Sequence, residues 1–154
     1  AFSGGRILHL RNPSSVRPWQ HVLEPISGYL TLAEHLHAKG NRFDGGWNFG
    51  PAEESTVTVG EVVTKMADLY GEGAGFASVD FENQPHEATL LRLDITKAGE
   101  ELNWKPRWSL DVALAKTVHW FKQDLEGADM QRVTRDQISE YLKAASLGNK
   151  DREN

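Results

Sequence analysis

The feature that most constrains this chain is the run Arg-Pro-Trp-Gln-His-Val-Leu-Glu-Pro at residues 17–25. Pro18 biases Arg17 towards an extended backbone, because a residue before proline avoids the helical region. Pro25, in contrast, is tolerated in the first turn of a helix. The run therefore predicts a junction between an extended segment and a helix. An Arg just ahead of a helix is well placed to hold an anion, since the helix N-terminus adds backbone donors and the guanidinium binds phosphate through a planar fork.

The helix after this junction is predicted from Glu24 to about His37. Apolar residues recur along it with helical spacing, which predicts its buried face. They are Ile26, Tyr29, Leu30, Ala33, Leu36 and His37. Strands are predicted at Ile7–Leu10, Trp47–Pro51, Phe76–Phe81 and Leu90–Leu93. Further helices are predicted after a capping box at Thr58-Val-Gly-Glu61, over Ile95–Leu102, after a Ser109 cap, and over Met130–Ala145.

These elements predict an α/β fold of several helices and short strands, without a complete doubly wound Rossmann sheet. Residues 71–75 are rich in glycine, but they follow a helix rather than a strand, and no Gly-x-Gly-x-x-Gly occurs. A dinucleotide-binding fingerprint needs a strand before it and a helix after it. We expect one domain over residues 1–147 and a disordered polar tail over residues 148–154.

Composition excludes several classes of function. A chain of 154 residues with 39% hydrophobic residues is typical of one globular domain. The net charge of −5 argues against a nucleic-acid partner. The absence of cysteine excludes disulfides and thiolate metal sites and is compatible with a cytoplasmic protein. No apolar run approaches a membrane span, and the histidines lack the spacing of metal ligands, so neither a membrane nor a metal is expected.

Several motifs occur in a fixed order. They are Arg-Pro-Trp-Gln-His-Val-Leu-Glu at 17–24, Asn-Phe-Gly at 48–50, Asp-Ile-Thr-Lys-Ala at 94–98 and Leu-Asn-Trp-Lys-Pro at 102–106. This order resembles the C-terminal substrate-binding lobe of extended short-chain dehydrogenase/reductases that act on nucleotide sugars. Arg-Asn-Pro at 11–13, the full run at 17–25, Gly-Trp-Asn-Phe-Gly-Pro at 46–51 and Pro-His-Glu-Ala at 85–88 resemble the branch formed by the CDP-glucose 4,6-dehydratases.

The resemblance implies a lyase with tightly held NAD that converts CDP-glucose to CDP-4-keto-6-deoxy-glucose and water, a step towards dideoxy sugars of bacterial O antigen. In this family the NAD loop and a Tyr-x-x-x-Lys pair belong to an N-terminal Rossmann domain. Neither occurs here, because Tyr29, Tyr70 and Tyr141 are each followed four positions later by Ala. We therefore expect a fragment that binds substrate and does not itself perform the oxidation.

Two other interpretations stay open. In the first, the chain is a fragment of another nucleotide-sugar epimerase or dehydratase. In the second, it is a non-catalytic module that binds nucleotide sugars or other proteins. Since the resemblance leaves out one lobe, apolar surface is expected to be exposed, which favours self-association into a homo-oligomer or a rearranged packing.

The resemblance also assigns roles to single residues. It places Arg17 on the CDP pyrophosphate, the alternative being a surface or ion-paired Arg. Trp19 lies in the core or stacks on the base, and His21 is either a structural histidine or a substrate ligand. Related families have an Arg on the pyrophosphate where this chain has Gln84, so that cation is missing, and His86, two residues later, either replaces it or is an ordinary loop histidine. Glu24 is expected to cap its own helix at the positive end of the dipole.

Overall fold

The structure, a computed structural model, describes residues 1–71, 73–79 and 88–150, with side chains as far as residue 144. Within these ranges the chain forms five α-helices and four strands of three residues each. The helices are α1 (Leu23–Lys39), α2 (Val59–Tyr70), α3 (Thr96–Leu102), α4 (Leu110–Leu125) and α5 (Met130–Lys150). The strands are β1 (Leu8–Leu10), β2 (Val16–Pro18), β3 (Thr56–Thr58) and β4 (Phe76–Ser78). None of the helices in this part of the chain has the length and apolar character needed to cross a bilayer.

The strands form two small two-stranded sheets. β1 pairs with β4 in parallel, with Leu8 opposite Phe76. β2 pairs with β3 antiparallel, with Arg17 opposite Val57. The mixture of helices and short strands confirms the predicted fold class.

Two hydrophobic clusters hold the helices together. The first joins α3 and the residues after it to the segment after α1, through Phe43, Phe49, Ala98, Leu102 and Trp104. The second lies between α2 and α4 and consists of Val62, Leu110 and Leu114, with Trp19, Val57 and Met66 packed against it. The residues at 17–25 therefore connect two packed halves of the molecule.

The helix starts follow the predicted capping residues. Thr58 and Glu61 form a capping box at α2, in which Thr58 Oγ1 accepts from the Glu61 N–H at 3.1 Å. Ser109 Oγ accepts from the Val112 N–H at the start of α4. α5 continues to Lys150, beyond the predicted end at Ala145 and into residues 148–150 of the predicted tail. Residues 151–154 lie outside the described ranges.

Two predicted strands are wrong. Residues 47–51 form no strand, because side chains rather than a neighbouring strand bond their backbone: Gln20 Nε2 donates to the Phe49 carbonyl at 2.8 Å. A Cβ on Gly50 would lie 2.9 Å from Leu93 Cβ, so the backbone at Gly50 packs directly against the side chains of Leu93 and Ile95. Leu90–Leu93 contributes only an isolated parallel bridge between Leu90 and Val16. The predicted strand at Phe76–Phe81 is present as β4, and its last two residues lie outside the described ranges.

The buried face of α1 also differs from the prediction. Ile26, Tyr29 and Leu30 of the predicted face are 41–62% exposed, as is Val22 just before the helix, and these four residues are here called the α1 apolar stripe. The helix instead buries Glu24 and Gly28. A Cβ on Gly28 would lie 2.2 Å from Phe49 Cδ1, so the ring packs directly on the helix backbone. Leu36 of the predicted face, together with Leu32, does pack against the first cluster. The helix is therefore held by these two leucines, by the close approach at Gly28 and by the bonds of Glu24, while the stripe adds little burial.

Candidate functional site

Arg17 lies on β2, between two neighbouring segments. Its strand neighbour Val16 pairs with Thr58 of β3 on one side and bridges to Leu90 on the other. The Val16 N–H donates to the Thr89 carbonyl at 2.8 Å, and the Leu91 N–H donates back to Val16 at 3.1 Å. Arg17 is half-buried, and its Nη1 donates to the Val16 carbonyl at 2.8 Å. The guanidinium is therefore attached to a strand whose backbone is held from both sides.

Trp19 fixes this strand to the core. Its indole packs against the cluster of Val62, Leu110 and Leu114, and its Nε1 donates to the Val57 carbonyl at 3.1 Å. Its backbone N–H donates to Ser55. These contacts are those of a core tryptophan, the first of the two alternatives for this residue, and a substrate contact by Trp19 stays a prediction.

His21 is buried at the start of α1, with 6% of its surface exposed. Its Nδ1 accepts from the Leu23 N–H at 3.3 Å, which places the proton of the neutral ring on Nε2. Burial, followed by the nearby positive charge of Lys116, lowers the pKa of His21 below its ordinary value of 6.5. At neutral pH the ring is therefore uncharged and can act as a hydrogen-bonding group rather than as a cation.

An apolar groove of about 460 Å³ opens beside His21, between the start of α1 and the helices α4 and α5. Its lining residues include Gln20, His21, Val22, Trp120, Phe121 and Ile138. Gln20 donates through Nε2 to Phe49, and its Oε1 is buried without a hydrogen-bond partner among the described residues. The groove thus combines apolar walls with polar side chains that include the imidazole of His21, a mixture typical of sites for organic rings.

Glu24 is the residue whose role the sequence did not predict. It is fully buried, and its carboxylate bonds to residues far along the chain rather than capping α1. Oε1 accepts from the N–H groups of Arg107 (3.0 Å) and Trp108 (2.8 Å), and the Tyr141 hydroxyl donates to Oε2 at 2.6 Å. The expected helix-cap role is therefore wrong, because backbone donors after α3 and a phenol on α5 are closer partners. Position 24 is the first turn of a helix in sequence, and only the fold reveals what is packed against it.

The same carboxylate belongs to a wider set of polar contacts. The Tyr141 hydroxyl lies 2.9 Å from Ser27 Oγ, which accepts from the Trp104 indole N–H at 2.9 Å. Burial and the bond to Glu24 raise the pKa of Tyr141 above its ordinary value of 10.0. The hydroxyl therefore remains a donor to Glu24 across the physiological range.

Two further residues, His86 and Arg92, were considered for the site. His86 lies outside the described residues, so its predicted role stays a prediction. Arg92 forms an exposed ion pair with Glu53 at 3.0 Å, the type of contact expected of a structural residue. In the described ranges, no cluster of three or more His, Cys, Asp or Glu side chains is arranged to hold a metal ion.

Comparison with known sequences bears directly on the motifs. Over 146 residues, or 95% of its length, the chain is 44% identical to CDP-glucose 4,6-dehydratase of Salmonella typhimurium, and the match covers 40% of that protein. It is 30% identical over 115 residues to UDP-glucuronic acid decarboxylase 1 of Arabidopsis thaliana, covering 73% of this chain and 24% of that one. The chain thus spans less than half the length of the curated relatives it matches. No protein-family model matches it.

Solved structures share the fold at low sequence identity. A dTDP-glucose 4,6-dehydratase from Bacillus anthracis, in complex with NAD, superposes with a TM-score of 0.62 at 21% identity, covering 82% of this chain and 37% of that one. UDP-glucose 4-epimerase from Bifidobacterium longum, in complex with NAD+ and UDP, gives 0.59 at 17% identity, covering 79% and 36%. The predicted resemblance is thereby confirmed, and the chain is a relative of the CDP-glucose 4,6-dehydratases with the fold of part of an extended short-chain dehydrogenase/reductase.

Proposed function

We propose that these residues form the substrate-binding part of a CDP-glucose 4,6-dehydratase. The observation that carries the proposal is the 44% identity over 95% of the chain to a protein of that activity. Residues 1–147 then bind the nucleotide sugar, and NAD is held by a Rossmann domain that these residues do not include. The chain alone is expected to bind CDP-glucose without turning it over, in the cytoplasm where such biosynthesis takes place.

Arg17 is proposed to hold the pyrophosphate of CDP-glucose. Its support is a half-buried position on a strand held from both sides, which limits the movement of the side chain and lowers the entropy lost on binding. The planar guanidinium can donate two parallel hydrogen bonds to phosphate oxygens.

His21 is proposed to contact an uncharged part of the substrate. A neutral ring with its proton on Nε2 can donate a hydrogen bond but adds no cation to a pyrophosphate site. The groove beside it has the apolar walls that a ring of the substrate needs. Trp19 supports Arg17 from the core, and His86 is proposed as the second pyrophosphate contact.

Calorimetric titration of the chain with CDP, UDP and dTDP tests this function. CDP is expected to bind more tightly than the other two. Arg17→Ala should weaken CDP binding about tenfold or more, because a hydrogen bond to a charged group contributes about 1.5–3 kcal/mol. Arg17→Lys should recover only part of the loss, since Lys keeps the charge but not the planar fork.

Arg132→Ala is the matched control, because Arg132 is exposed on α5 and paired only loosely with Asp136 at 3.8 Å. Its CDP affinity should equal that of the parent. Parent-like binding by Arg17→Ala contradicts the pyrophosphate role. A parent chain that binds none of the nucleotides at about 1 mM contradicts substrate binding by these residues.

The same titration distinguishes CDP-glucose from a second candidate substrate. The 30% identity to a UDP-glucuronic acid decarboxylase favours a UDP sugar as the alternative substrate. Tighter binding of UDP than of CDP supports that alternative and overturns the choice of CDP-glucose.

A further inference from the structure

The buried carboxylate of Glu24 joins the candidate site to two distant parts of the chain. Its own backbone N–H donates to the His21 carbonyl at 3.0 Å, so the two residues belong to one turn. The carboxylate accepts from Arg107 and Trp108, which lie between α3 and α4, and from Tyr141 on α5. A fully buried carboxylate is costly unless such donors surround it, so its position is tied to theirs.

Trp108 extends this connection to the imidazole. Its ring meets His21 edge-on, with the centroids 4.9 Å apart. The Trp108 ring also meets the Tyr141 ring edge-on, with the centroids 5.1 Å apart. The residue whose N–H is held by Glu24 therefore lies between His21 and Tyr141. The indole is thus in contact with the imidazole on one side and with the Tyr141 ring on the other.

The connector after α3 is held from α5 as well. The Arg107 guanidinium lies 4.6 Å from the centre of the Tyr141 ring, and its Nη1 donates to the Tyr141 carbonyl at 3.4 Å. Tyr141 thus contacts the carboxylate, the indole and the arginine of one small region. It joins α5 to the first turn of α1 through the carboxylate of Glu24.

We infer that Glu24 and Tyr141 are positioning residues for the candidate site: through Trp108 they fix the orientation of His21 and the turn that follows Arg17. The expected effect on nucleotide binding rests on the proposed function. The expected effect on the orientation of the His21 ring does not. Neither residue contacts the substrate in this scheme. Their effect on affinity passes through the placement of His21.

Tyr141→Phe is the variant of choice, because it removes the hydroxyl and keeps the ring that packs on Trp108. Tyr29→Phe is the matched control on an exposed face of α1. The readout is the NMR signal of the His21 ring protons, assigned with a His21→Asn variant. These protons lie next to the indole of Trp108 and sense its ring current, which a general loss of stability in a folded protein does not change.

The expected result is a shift of the His21 signals in Tyr141→Phe, with CDP binding weakened about threefold to tenfold. Tyr29→Phe should leave both unchanged. Unshifted His21 signals in folded Tyr141→Phe overturn the inference, whatever the affinity. Shifted signals with parent-like affinity also overturn it, because His21 would then be held without consequence for the site. If the parent binds no nucleotide, the proposed function fails separately, and the His21 signals alone decide whether Tyr141 positions the ring.

Discussion

The helices α1 and α2 have the same kind of apolar periodicity but bury different kinds of residue. In α2 the apolar residues Val59, Val62, Val63, Met66, Leu69 and Tyr70 recur with helical spacing, and the helix buries Val62 and Val63 from this set. α1 buries Glu24 and Gly28 and leaves its apolar stripe exposed. The pattern predicts that a helix forms, but the neighbours of the helix decide which face is buried.

The neighbours of the two helices explain the difference. α2 packs against α4, whose Leu110 and Leu114 complete an ordinary apolar cluster. α1 meets backbone donors and a phenol at its first turn, and an aromatic ring at Gly28. A carboxylate and a glycine fit those neighbours, whereas a large apolar side chain does not. The stripe then remains available for contacts with surfaces outside the described residues.

The largest expected effect comes from breaking the polar anchor of α1. Glu24→Ala leaves the Arg107 and Trp108 N–H groups and the Tyr141 hydroxyl without their acceptor. The free energy of unfolding is expected to fall by about 3 kcal/mol or more, since each unsatisfied buried donor costs about 1–3 kcal/mol. Urea unfolding followed by tryptophan fluorescence measures the loss.

The matched control for this variant is Glu34→Ala, at an exposed position on the same helix. It should change stability by no more than about 0.5 kcal/mol. Equal stability of the two variants would show that the Glu24 contacts do not anchor α1.

A smaller effect is expected from the apolar anchor of α2. Val62→Ala removes two methyl groups from a site that is 2% exposed and should cost about 2 kcal/mol through lost burial and a residual cavity. The same substitution at Val22, which is 62% exposed in the α1 stripe, should cost less than about 0.5 kcal/mol. Thermal unfolding of both variants measures the difference, and a costlier Val22→Ala would reverse the comparison of the two helices.

The smallest effect on stability is expected in the stripe itself. Leu30→Gln replaces an exposed leucine and should change the free energy of unfolding by about 0.5 kcal/mol at most. It should instead reduce the predicted self-association, because exposed apolar patches favour contact between molecules. Sedimentation velocity over a range of concentrations tests this. A parent that stays monomeric, or association unchanged in Leu30→Gln, removes the stripe as an interface between copies.

Local signals in the sequence predicted most of the helices. Thr58 with Glu61, and Ser109, are caps whose donors lie within three residues, so their structure depends little on the rest of the fold. The apolar content of residues 47–51 and the Gly-Pro at their end predict a strand, which the structure does not contain. Instead the Phe49 carbonyl accepts from the Gln20 side chain, and the Asn48 side-chain amide donates to the Asp94 carbonyl, 46 residues away.

The candidate site was predictable only as far as its residues lie close together in the sequence. The motif at 17–25 locates Arg17, Trp19 and His21 in one segment, and the structure places that segment between two packed halves. The motif alone does not reveal that the Glu24 carboxylate is buried and bonded to distant residues, because a carboxylate near a helix start also suits a simple cap. The partners of Glu24 lie 83 to 117 residues away, and no local pattern specifies such pairs.

This separation has a kinetic consequence. Contacts between residues so far apart in sequence close large loops, and they form late because the entropy of loop closure must be overcome first. The Tyr141 hydroxyl bond to Glu24 spans 117 residues, so during synthesis it can form only after residue 141 has been added. Removing this bond should therefore accelerate unfolding while leaving the folding rate nearly unchanged. The carboxylate in the first turn of α1 keeps one unmet acceptor site until α5 packs against it.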